Sequence, residues 1–242
     1  MGLCDLYFLG NRINSLDFGL QPLKLPKPER AAKRYTEYTI AGRSGKLHVD
    51  EGSYEEIEKS VSFMCAEKYV ETATIWLSQI TEICTSAEQN RVFSVTPGVT
   101  IKTATTTPGL FEFSVSFKCY PLSKDFEEKT YEIINDGRHT PYFNLQNPSQ
   151  IAAYPSFEIF GSGTITVQVG GQAVTITDVD GWVMVEGGES LVCYDNDGSA
   201  LSRMSLSPAT DIGFPTIGGN AITYVGQTGA DRILVNPNWR YL

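Results

Sequence analysis

Paired cysteines are missing from this chain. Its five, Cys4, Cys65, Cys84, Cys119 and Cys193, are scattered singly and odd in number, whereas zinc sites and thiol redox centres need close pairs such as CxxC. Free, mostly buried thiols are the expected state. Histidine is nearly absent too: His48 and His139 stand far apart, which excludes a histidine-rich metal site. A serine nucleophile would also be short of a base, and no GxSxG elbow occurs. Positive charge is scarce. Lys and Arg number 19 against 28 Asp and Glu, a net charge of −9, which disfavours specific nucleic-acid binding because that affinity comes mainly from cations on phosphates. The most basic stretch, Lys24 to Arg34 (KLPKPERAAKR), reads as a solvated, proline-stiffened loop. No apolar run of about 18 residues occurs, so no membrane span is expected. The start, MGLCDLYFLG, has no cationic head and no small-residue cleavage site. Leu6 stands where a myristoylation site needs Ser or Thr. A soluble protein made in the cytoplasm is the expectation.

What remains is ordinary globular composition, 41% hydrophobic and 19% charged over 242 residues, enough for two modest cores. In the first half, Ala73, Trp76, Leu77, Ile80, Ile83, Cys84 and Ala87 recur at three- and four-residue spacing and predict one α-helix over about 68–87. A strand is expected from Ser94 to Ile101, then a turn at Thr107-Pro108-Gly109. The clearest strand follows, with Phe111, Phe113, Val115, Phe117 and Cys119 alternating with Glu112, Ser114, Ser116 and Lys118. The pattern weakens between about Pro121 and Pro155, where a linker is expected. Beyond it, short strands at Thr164–Val169, Ala173–Thr177, Trp182–Glu186, Leu191–Tyr194, Arg203–Leu206, Ala221–Val225 and Arg232–Val235 predict an antiparallel sandwich. The expected fold is therefore mainly β: a domain over 1–125 with one helix, and a β-sandwich over 126–242.

No constellation of residues carries enzymatic chemistry in this reading. The run DNDG (Asp195, Asn196, Asp197, Gly198) lacks the glycine and distal Glu of an EF-hand and is explained as a hairpin turn. Asp178 with Asp180, and Glu186 with Glu189, flank glycine turns, so solvated loop charge is expected rather than a glycosidase acid and base facing each other across a cleft. Gly161 to Thr164 (GSGT) lacks the phosphate-loop pattern and reads as a turn. Trp182, Tyr194, Tyr224 and Trp239 are candidates for a sugar platform or, more simply, for core packing. No catalytic residue, cofactor or metal ligand is nominated.

Two stretches resemble the distal tail protein family of long-tailed bacteriophages. One is YTIAGRSGKLHVDEGSYEEIEKSVSF (Tyr38 to Phe63), in which Gly42-Arg43-Ser44-Gly45 is a tight turn between strands. The other is the second half opening YPSFEIFGSGTITVQVGG. The helix with Trp76 and Leu77, the strand FSVSFKCYP and the closing NPNWRYL follow in the order of that family. Gly42, Arg43, Gly45, Trp239 and Arg240 mark the resemblance and are the candidate interface positions. The resemblance implies a first domain that forms a homo-hexameric ring and a second, galectin-like sandwich, with the last strand, 232–242, packing back on the first domain. Its implied partners are the tail tube protein and the tail-associated baseplate hub protein, with no membrane and no specific nucleic acid, although the genome passes through the lumen. An acidic lumen would repel that DNA. The implied location is the distal tail of the virion, assembled in the host cytoplasm. The alternatives are a lectin-like carbohydrate-binding protein using the second domain and, behind it, an all-β glycoside hydrolase.

Overall fold

The structure, a computed structural model, describes residues 6–137, 142–187, 192–195, 204–207 and 216–242. Cys4, His139, Glu189, Asn196 to Gly198, and the first residues of the strands expected at Leu191 and Arg203, lie outside them. The chain is mostly β, in antiparallel sheets, and divides into two compact units, one ending at Phe126 and the other spanning Glu127–Tyr241.

The first unit contains β1 (Phe8–Gly10), β2 (Ile13–Asn14), β3 (Leu20–Lys24), β4 (Lys33–Thr39), β5 (Lys46–Tyr54) and β6 (Ile57–Ala66). Then come α1 (Val70–Ser78), β7 (Glu82–Thr85), β8 (Arg91–Ser94), β9 (Thr100–Thr107), β10 (Leu110–Cys119) and β11 (Ser123–Asp125). One sheet runs β3-β6-β10-β9, and a second set of short strands runs β11-β8-β7-β1-β2. The alternation in β10 has its expected consequence: Phe113, Val115, Phe117 and Cys119 are buried while Ser114 and Lys118 are exposed. Ala73, Trp76 and Leu77 of α1 join those residues and Phe8 in one core. There Phe8 meets Phe63 edge-on at 5.1 Å, and Trp76 stacks on Phe18 at 4.5 Å.

The helix is shorter than its apolar spacing predicts. It ends at Ser78, and Ile83 and Cys84 belong to β7, between β1 and β8. Asn11 makes the stop. Its Nδ2 donates to the carbonyl of Gln79, and its Oδ1 accepts from the backbone N–H groups of Thr81 and Glu82, so the exposed helix terminus is satisfied from a distant turn. Residues Ile80, Ile83 and Cys84 fit a helical stripe and a short strand equally well, and pairing with Leu9 and Gly10 decides the matter. The strand expected from Ser94 to Ile101 is likewise split: β8 stops at Ser94 and β9 starts at Thr100.

The second unit contains β12 (Tyr131–Ile134), β13 (Tyr142–Gln146), β14 (Ser156–Val169), β15 (Gln172–Glu186), β16 (Val192–Asp195), β17 (Met204–Ser207), β18 (Ile222–Asn236) and β19 (Arg240–Tyr241). The stretch read as a linker thus supplies β11, β12 and β13, whose short runs between charged and turn residues are too brief to show a period. The short strands expected beyond Pro155 merge into three long bent ones, β14, β15 and β18. Each is broken where the register slips: Gly161 to Ile165 in β14, Asp178 in β15, and Gly229 in β18. Gly229 has φ +92° and a side chain there would lie 2.4 Å from the Thr164 carbonyl oxygen, so only glycine fits this corner. GSGT and Asp180-Gly181 are therefore bends inside paired strands, not the turns expected of them. On one side of the bends β12, β18, β14, β15 and β16 form a layer, and on the other β13, β18, β14, β15 and β17 form a second. Both bury their inward residues in a single core that includes Phe157, Ile159, Val167, Val225, Ile233 and Trp239, which makes the unit a β-sandwich whose corners are strands passing from layer to layer.

Candidate functional site

The five residues singled out by resemblance fall in two places. Gly42, Arg43 and Gly45 occupy the tip joining β4 to β5. Both glycines have φ near +80°, with open space where a side chain would be, and the Arg43 N–H donates to the Ile40 carbonyl. Trp239 and Arg240 lie in the second unit. Trp239 is buried in its core, and the Arg240 guanidinium sits 4.6 Å from the Tyr154 ring centroid. The first group is a solvated turn and the second is packing.

Among the described residues β4 and β5 pair only with each other, forming a ribbon that a core does not support. Its register divides it into two faces. Glu37, His48, Lys46 and Asp50 share one side, where Lys33 meets Asp50 at 2.8 Å and Glu37 pairs with Lys46 and His48. The Lys46 ammonium holds Glu37 below the usual carboxylate range, and Lys33 does the same to Asp50. These groups are exposed to solvent, where such pairs contribute little. Tyr38 and Val49 lie on the other side, with Ile40 beyond the end of β4. All three are about half exposed and none belongs to either core.

The outward face of the sheet β3-β6-β10-β9 is paved with hydroxyls. A row across its four strands reads Lys24, Ser62, Ser114, Lys102, and beside it lie Ser60, Ser116 and Thr100 in a shallow trough of about 340 Å³. Ser116 donates to Glu58. This trough is polar and open, unlike the enclosed apolar pockets that bind small molecules. Asp178 and Asp180 are exposed on β15. Among the described residues no group of three or more His, Cys, Asp or Glu side chains is arranged to hold a metal ion.

Sequence reasoning missed Lys59. It stands on the core-facing side of β6 with Ile57, Val61 and Phe63, and its side chain is 1% exposed. Its ammonium pairs with Glu88 and lies 4.2 Å from the Phe93 ring centroid. The signal was present: the burial period of 2 running through Ile57, Val61 and Phe63 includes Lys59.

Cys65, Cys84, Cys119 and Cys193 are free and buried. Burial pushes the Cys119 thiol from its ordinary 9.0 up to about 12, and Cys193 up to about 11. In native protein at pH 8 we expect iodoacetamide to leave both unmodified, and modification after unfolding, read by peptide mass spectrometry. Because the unfolded chain loses these protons first, stability falls as pH rises from about 9 towards 12.

No family model matches the chain, and no curated protein matches it by sequence. Its fold, however, is similar to that of a hub protein of a phage adsorption apparatus. One solved structure with this fold is that of SPP1 Dit (gp 19.1), a paradigm of the hub adsorption apparatus in phages infecting Gram-positive bacteria. This chain is similar to it with a TM-score of 0.68 at 15% identity, over 98% of this chain and 99% of that one.

Proposed function

We propose that the chain is a structural, non-enzymatic hub subunit of a phage tail tip. It closes into a hexameric ring, joins the tail tube to the baseplate and receptor-binding apparatus, and resides in the distal tail of the virion after assembly in the host cytoplasm. The observation that carries this reading is the fold shared with SPP1 Dit through both units from end to end. Two features of the first unit support a ring. A closed ring joins two different patches of one subunit, and this unit has one sheet edge, β9, rich in threonine and paired only with β10, while the opposite edge strand, β3, carries Pro22. Proline removes a donor and blunts that edge. The half-exposed apolar side of the β4–β5 ribbon is a second surface in want of cover. The second unit, read as galectin-like, projects from the ring.

Light scattering of the purified protein over a range of concentrations tests the ring. The expected result is a discrete species of six times the 26.7 kDa chain. A monomer at every concentration, alone and mixed with tail tube protein, would sink the ring.

A further inference from the structure

We propose that the outward face of the β13–β18–β14 layer binds a neutral oligosaccharide, centred on the stacked rings of Tyr142 and Tyr224. This goes beyond the hub reading and does not depend on it. The pairing Tyr142 with Gly226 and Asn144 with Tyr224 puts these four residues on the side opposite Leu145 and Val225, which face the core. The pairing of β14 with β18 brings Thr166 and Gln168 onto the same side.

The tyrosines form a built aromatic surface. Their centroids are 5.3 Å apart with 28° between the planes, and Tyr142 is 61% exposed. Gly226 makes room for Tyr224, since a Cβ there would lie 2.5 Å from the Tyr224 hydroxyl. The Tyr224 side chain therefore lies along its own strand over a position that any other residue would fill. Neither ring contributes to the core, so packing does not account for them.

The surroundings select the ligand. No charged side chain lies among these six residues, in a chain where 19% of residues are charged, so a phosphate or an acidic polymer finds no partner among them. The carboxamides of Asn144 and Gln168 are exposed and make no hydrogen bond to another described residue. Each offers two donor hydrogens and an acceptor oxygen, which suits sugar hydroxyls that both give and accept. An aromatic ring with a polar tip suits the other side of a sugar, its patch of C–H bonds. A protein partner would call for a more apolar centre. Here, among the described residues, the one exposed aliphatic side chain, Ile222, stands at the end of the face.

Saturation-transfer NMR of the full chain with cellohexaose, maltohexaose and chitohexaose, followed by titration, tests the proposal. We expect at least one to bind with a Kd of about 1 mM or tighter. Tyr142→Ala and Tyr224→Ala should each weaken it about tenfold or more, Tyr142→Trp should keep it, and Tyr120→Ala, at an exposed tyrosine of the other unit, should leave it unchanged. Because Tyr142 is exposed and outside the core, its alanine variant folds. Absence of transfer from all three sugars at about 10 mM, or binding that Tyr142→Ala does not alter, overturns the proposal. So does a change in oligomeric mass caused by Tyr142→Ala without any sugar binding, which would make the face a protein contact.

Discussion

Glu88→Ala is expected to destabilise the first unit by about 3–5 kcal/mol, the range for removing one partner of a buried ion pair. Lys59 is enclosed by the core face of β6, and Glu88 is the carboxylate that meets its ammonium. Without that carboxylate the charge keeps, among the described residues, the face of Phe93, and a ring quadrupole does not replace an ion pair. Lys59→Met with Glu88→Leu should recover most of the loss, because two well-packed apolar groups need no partner. Hydrogen exchange at the β6 and β8 amides measures this, with β14 as an internal reference. Equal protection in Glu88→Ala and the parent would show that water reaches Lys59 freely.

Asn147→Leu carries the next largest effect. This asparagine is buried, and its Nδ2 donates to the carbonyl of Ile151 at 2.8 Å and reaches those of Ile217 and Gly218 at 3.2 Å. Its Oδ1 accepts from the Ser149 N–H. One side chain thus ties the loop after β13 to the segment leading into β18, where Gly219 lies so close to Gln150 that a Cβ would be 2.0 Å from its carbonyl oxygen. Leucine of similar size takes the partner from the Ile151 carbonyl and the Ser149 N–H, at about 1–3 kcal/mol for each that stays dry, while the carbonyls of Ile217 and Gly218 still accept from the N–H groups of Ala153 and Ala221. A loss of about 2 kcal/mol or more in the second unit is expected from urea unfolding. A midpoint unchanged from the parent would mean that water substitutes for the amide.

Much of the architecture was legible because it rests on short-range pattern. The β10 alternation, the hairpin tip at Gly42 to Gly45 and the change from a helix-bearing half to an all-strand half are all local signals. The failures have physical causes. The end of α1 depends on Asn11, nearly seventy residues away, and no window around Ile80 contains it. Gly161 and Gly163 look like a turn since glycine supplies positive φ in turns and in strand corners alike. Only pairing with Gly181 and Ala230 distinguishes the two. For the candidate site, Trp239 carried an aromatic signal that core and interface share, and the structure assigns it to the core. Tyr224 was legible as an aromatic, but Tyr142, its stacking partner, stands in the stretch that read as linker.

The three corners of the second unit have a mechanical consequence. Because β14, β15 and β18 each run through both layers, the layers cannot slide apart as two plates would. Shear on one is carried into the other along covalent backbone, and yielding requires all three corners to straighten together. Such a unit behaves as a single stiff block up to a threshold and then gives way at once. The proposed hub role, in which a part must hold its shape under load, has use for that response.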